Sequence, residues 1–176
     1  MYESSLKYCH AQSLSLKYPH WLWLTAGENT YEVSKARIQL LFLSSQYPCG
    51  KLTRHWSADN PSGYCQYPFC YDEGLVETPE HILLHCPAYV KTRQSLLPLF
   101  LKIQHPISHS LALSLLTSGP TTFLQFLMDC SSLPEVISSY QNYGDQIYRD
   151  LFYLSRTWCF VMHKERMKQL GRWNLH

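Results

Sequence analysis

Cys65 and Cys70 are separated by four residues, His81 follows after ten more, and Cys86 after a further four. This Cys-x4-Cys-x10-His-x4-Cys run offers three thiolates and one imidazole, the donor set of a closed tetrahedral zinc site. A closed site leaves no position for an activated water, so its expected role is structural, not hydrolytic. With Zn2+ bound, three thiolates and a neutral His carry a charge of about −1. His85 is one helical turn from His81 and competes with His81 or Cys86 as a donor. Cys86 is preferred, because three thiolates hold zinc more firmly than two. Two other readings compete: scattered reduced thiols, or a Cys nucleophile with a His base, for which no orienting group stands out.

A second constellation sits near the C-terminus. On a 100° wheel Ile147, Leu151, Leu154, Trp158, Val161 and Met162 gather on one side of a predicted helix over 145–170. Arg149, Arg156 and His163, seven apart, lie opposite, interleaved with Tyr153 and Phe160. Lys164, Arg166, Lys168 and Arg172 extend the positive charge to the end of the chain. The candidate nucleic-acid-binding residues are therefore Arg149, Arg156, His163, Lys164, Arg166 and Arg172, cations for phosphates with aromatics for base stacking. The plainer alternative is a solvated face behind a core helix.

The elements that must position these groups read as helices. The chain has 176 residues, 45% hydrophobic and 14% aromatic, enough for one packed core. Charged residues are 16% and the net charge is +2, which excludes a histone-like electrostatic binder and makes any nucleic-acid surface local. Seven cysteines, an odd number without a secretory signal, point to a reducing compartment, nucleus or cytoplasm, and to a protein that is not secreted. The apolar runs at 40–43 and 96–101 are too short to span a bilayer, so no membrane role is expected.

Residues 1–28 are aromatic-rich and irregular and read as an N-terminal arm. Asn29 with Glu32 resembles a capping box, after which Val33, Ala36, Leu40, Leu41 and Leu43 fall at helical spacing until Pro48 and Gly50. Lys51 to Trp56 reads as a short helix or turn. Pro79, Pro87 and Pro120 sit at or near helix starts, and Ser132 with Glu135 is a second capping box. Helices are predicted at about 79–85, 87–103, 108–117, 120–128, 133–141 and 145–170, with no sustained period-2 alternation.

The residues around the cysteines carry a resemblance. Arg37-Ile38-Gln39-Leu40-Leu41, Ser44-Ser45-Gln46-Tyr47 and Leu52-Thr53-Arg54-His55-Trp56-Ser57 precede Cys65-x4-Cys70. Then follows Glu77-Thr78-Pro79-Glu80-His81-Ile82-Leu83-Leu84-His85-Cys86-Pro87. This order resembles the C-terminal zinc-binding region of reverse transcriptases from non-long-terminal-repeat retrotransposons, over about residues 30–173. The Glu-Thr-x-x-His-x-Leu-x-x-Cys-Pro block is the specific part. The resemblance implies that Cys65, Cys70, His81 and Cys86 are the zinc ligands. It also implies binding of element RNA or target DNA during target-primed reverse transcription. The chain has no Asp-Asp pair for polymerase metal ions and nothing resembling the endonuclease, so no catalytic activity of its own is expected.

The expected fold is mainly α, an irregular helical domain with a Cys-Cys-His-Cys zinc knuckle-like loop. Its segments are the arm at 1–28, helix at 29–58, the zinc module at 59–92 and helices at 93–176, packed as one domain. The expected cofactor is structural Zn2+ and the expected partner RNA or DNA. The alternatives are a zinc-stapled protein-interaction or self-association module, favoured by 13 tyrosines and five tryptophans, and a decayed element fragment without function.

Overall fold

A computed structural model of the chain describes residues 20–55, 58 and 60–171. Residues 1–19, most of the expected arm, and Arg172 lie outside the described residues. The fold is mainly α, as the sequence predicts; among the described residues the sole β feature is one antiparallel bridge between Tyr64 and Val76.

The described residues form ten α-helices in order: α1 Trp21–Leu24, α2 Thr30–Leu43, α3 Gly50–Thr53, α4 Pro68–Asp72, α5 Val90–Leu96, α6 Pro98–Leu101, α7 Pro106–Leu116, α8 Pro120–Asp129, α9 Pro134–Tyr143 and α10 Gln146–Gln169. Pro occupies the first turn of α4, α6, α7, α8 and α9, where its missing N–H leaves no hydrogen bond unmade. The helix predicted over 87–103 is broken into a 3-10 turn at Pro87–Tyr89, then α5 and α6. Pro98 is the reason: it cannot donate to the carbonyl four residues back, and its ring crowds that turn.

Asn29 caps α2 as expected, its Oδ1 accepting from the N–H groups of Tyr31 and Glu32 at 2.9 and 3.2 Å. Ser132 does not cap α9. Its hydroxyl donates to the Asp129 carbonyl and accepts from Gln125, and Leu133 takes the N-cap position without a side-chain bond. The stretch at 21–24, expected to be irregular, forms a helical turn whose Leu22 is buried and whose Trp21 packs against the touching rings of Tyr140 and Tyr148.

α10 is the central element, packed by α2, α5, α7, α8 and α9. The predicted apolar side is inside: Ile147, Leu151, Leu154, Trp158 and Met162 are buried. Enclosure on several sides also buries Arg156, which the wheel placed outward, and Arg166, together with Ser155 and Thr157. Phe100, Phe123, Phe126 and Trp158 form one aromatic cluster with centroids 5.3–6.3 Å apart. The Trp158 indole N–H donates to the Leu83 carbonyl at 3.4 Å, so the core reaches the segment carrying His81 and Cys86.

In α2 the inward residues are not the predicted ones alone. Leu40 is exposed, while Lys35 and Gln39 point into the protein. Gln39 Nε2 donates to the carbonyls of Leu127 and Met128 and to Ser155 Oγ, tying α2 to the end of α8 and to α10.

Candidate metal centre

Cys65, Cys70, His81 and Cys86 are all buried, and each offers one ligand atom within 4.8 Å of the others. The Cys65 and Cys86 sulfurs are 3.7 Å apart and those of Cys70 and Cys86 3.9 Å. Four ligands at zinc–sulfur distances of about 2.3 Å put tetrahedral sulfurs about 3.8 Å apart, whereas a disulfide would bring them to about 2.05 Å. The observed separations fit the edges of a metal tetrahedron. His81 Nε2 is buried with no hydrogen-bond partner, the condition of a nitrogen whose partner is a cation. The donor set therefore fits a bound metal ion.

Local structure explains how four distant positions converge. The Tyr64–Val76 bridge closes residues 64–76 into a hairpin-like loop, with Cys65 N–H donating to Leu75 O and Leu75 N–H to Cys70 O, both at 2.9 Å. Cys70 sits in α4, opened by Pro68. His81 and Cys86 are set by a π turn over His81–His85, closed by the Cys86 N–H to His81 O bond at 2.7 Å. In an α-helix, residues five apart point about 140° away from each other. The i to i+5 bonding of a π turn returns them to one face, which is what a shared metal requires.

The same turn separates the two histidines. His85 is half exposed and its Nε2 lies 3.4 Å from Glu80 Oε1, outside the cluster. His81 and Cys86, not His85, complete the set.

The thiols share protons unequally. The hydrogen bond from Cys86 holds the Cys65 thiol far down, at about 4, helped by His81 and the Tyr67 N–H against the cost of burial. The same bond, with burial, pushes Cys86 up, and burial next to the Cys65 charge raises Cys70. Arg93 adds positive charge at the edge: its Nη2 donates to the Cys86 carbonyl at 2.7 Å, and its buried Nη1 has no hydrogen-bond partner. The sequence reading missed Arg93, although an Arg one helical segment beyond a proposed thiolate is a usable signal.

A buried ion pair anchors the loop. Glu77 receives Arg166 Nε on Oε1 and Nη2 on Oε2, and its Oε2 also accepts from the Gly50 N–H at 2.6 Å. Arg166 Nη2 donates in addition to the Pro48 carbonyl at 3.0 Å. Burial alone would lower the Arg166 pKa, but the Glu77 hydrogen bonds and charge outweigh it and raise it.

This pairing corrects the predicted nucleic-acid stripe. Arg166 is 5% exposed and Arg156 3% exposed. Arg156 donates to Glu32 Oε2, Thr25 Oγ1 and Thr25 O at 2.6, 2.9 and 3.1 Å. Both guanidiniums are buried and paired with carboxylates, Arg166 with buried Glu77 and Arg156 with partly buried Glu32, which withdraws them from phosphates. A wheel cannot see this, because their partners lie 124 and 89 residues away in sequence. Arg149 and Lys168 are exposed, His163 and Lys164 partly so, and the His163 ring nitrogen Nδ1 is 3.0 Å from the Tyr47 hydroxyl.

Fold and site together define a mainly helical protein with a buried three-Cys, one-His cluster suited to a metal ion. No family model, curated protein or solved structure matches the chain. Among the described residues no helix is long and apolar enough to cross a membrane.

Proposed function

We propose that this chain is a non-catalytic structural-zinc module that binds nucleic acid, RNA or DNA, in a reducing compartment. The observation that carries the zinc is the pair of 3.7 and 3.9 Å sulfur separations beside buried His81. Soft thiolates with one imidazole in a tetrahedral arrangement suit Zn2+ better than oxygen-seeking Mg2+ or Ca2+. Cys65, Cys70, His81 and Cys86 would hold it, and the ion would fix the loop to the bundle. Four protein ligands leave no position for a substrate or an activated water, which supports a non-catalytic role.

The nucleic-acid part is supported by the resemblance to the zinc-binding tail of non-long-terminal-repeat retrotransposon reverse transcriptases. With Arg156 and Arg166 buried, the candidate phosphate contacts are the exposed Arg149 and Lys168. Metal analysis of protein purified without chelator should give close to one zinc per chain. Arg149→Glu with Lys168→Glu should weaken binding of RNA or DNA and flatten its salt dependence. Unchanged affinity and salt slope would exclude this surface.

One observation favours the second reading, a protein-interaction module. Tyr67, Phe69 and Tyr71 are exposed on the metal loop beside Asp72 and Glu73, and no Lys or Arg occurs from residue 55 to residue 90. Exposed aromatics next to carboxylates suit a protein surface and repel phosphates. Absence of any salt-sensitive nucleic-acid binding, with retained zinc, would select this reading.

A further inference from the structure

A groove of about 550 Å³ runs between α2 and the second half of α10, away from the metal cluster. Each wall is built at helical spacing: Ser34, Arg37, Ile38 and Leu41 on α2, and Phe160, His163, Lys164 and Met167 on α10. From first to last lining residue each wall rises by seven positions, about two helical turns, so the groove is about 10 Å long. Pro48 closes one end, held by the hydrogen bond from Arg166 to its carbonyl. The apolar lining is Ile38, Leu41, Phe160 and Met167, and its rim carries Arg37 and Lys164. No carboxylate is among the described residues that line it.

We propose that this groove docks an acidic amphipathic helix of a partner protein. The apolar lining takes anchors at i, i+3, i+4 and i+7, the helix-in-groove mode, and the rim cations select acidic neighbours of those anchors. A nucleic acid fits the groove less well. The Tyr47 ring is stacked on Phe42 at 3.7 Å with Arg166 5.5 Å from its centroid, and its hydroxyl is held by His163. Phe160 is engaged by the Tyr31 ring at 5.4 Å and by the Lys164 ammonium at 5.6 Å. Tyr47 therefore offers no free face on which a base could stack, and Phe160 is already engaged by two neighbours. Two rim cations are also few for a polyanion.

The test uses the full chain and fluorescein-labelled helical peptides with Leu and Phe anchors at i, i+3, i+4 and i+7, with either Glu or Lys between them. Fluorescence anisotropy should show saturable binding of the Glu peptide and about tenfold weaker binding of the Lys peptide. Arg37→Glu with Lys164→Glu, both rim changes outside the core, should reverse that preference. Leu41→Ser should weaken both peptides while zinc content stays at one per chain, which separates a groove effect from loss of the metal module. No binding of the Glu peptide, or binding that ignores the charge reversal, overturns the proposal. Competition by a single-stranded oligonucleotide for the same groove, or self-association that Arg37→Glu abolishes, also overturns it by assigning a different occupant.

Discussion

Arg166 meets Glu77 side-on, with Nε to Oε1 and Nη2 to Oε2 both at 2.8 Å, and both side chains are almost fully withdrawn from water. One residue belongs to the last helix and the other to the metal loop. Their pairing, with the Gly50 N–H and the Pro48 carbonyl, joins three parts of the chain at one point.

Breaking that pair from one side should be costly. Arg166→Met leaves the Glu77 carboxylate buried without its cation and should lose about 3–5 kcal/mol in urea unfolding. Arg166→Lys keeps the charge but not the two-pronged geometry, and should fall between Met and wild type. Equal stability of the Met variant and wild type would show that the pair is not formed in solution.

The ligand assignment has a spectroscopic signature. Co2+ substituted into the protein should show thiolate charge-transfer bands, lost or shifted in His81→Ala and retained in His85→Ala. The opposite pattern would make His85 the fourth ligand.

Loss of a metal thiolate should exceed loss of an ordinary buried thiol. Structural zinc in small domains contributes apparent binding of about 10–16 kcal/mol, comparable to a whole domain's stability. Cys70→Ser should therefore abolish stoichiometric zinc and lower Tm sharply, as should a strong chelator. Cys49→Ala, also buried but outside the cluster, should keep one zinc per chain and lose far less. Similar Tm values for the two variants would sink a structural role for the metal.

Two glycines allow the metal loop to cross the α3 turn. A Cβ on Gly50 would lie 2.4 Å from the Gly63 carbonyl oxygen, and one on Gly63 2.8 Å from the Gly50 oxygen. Gly63 also has φ +72, a region unfavourable to side chains. Ala at either position should destabilise by roughly 1–3 kcal/mol or more. Gly119→Ser, where nothing lies within 4 Å, should be neutral or slightly stabilising, since Ser is a better N-cap than Gly. Thermal melts compare the three.

The Glu32 ion cluster gives stability a specific acid limit. Burial raises its pKa, but the hydrogen bonds from Lys35 and Arg156 and their charges outweigh this and bring it below the ordinary 4.5. A depressed carboxylate stabilises fully above its unfolded value and loses that contribution as pH falls through its folded value. The stability gap between wild type and Glu32→Gln should thus be constant above pH 4.5 and close below it. A gap that persists unchanged into stronger acid would refute the pairing.

Much of this protein was legible in order along the chain. The helical class, the helix starts at Pro87 and Pro120, and the four positions of the metal cluster follow from local rules: proline without an N–H, and donor types at metal-ligand spacing. Those rules act over a few residues, so a sequence displays them. What a sequence could not display was which face of each helix finds a partner. Arg156 and Arg166 looked like solvent-facing cations until Glu32 and Glu77 arrived from far along the chain. Spacing already favoured His81 with Cys86; what it could not display was the π turn that brings the two side chains to one face. Local composition set the donors and the helices; enclosure of α10 by helices distant in sequence decided which charges are buried, because burial depends on neighbours that only folding brings together.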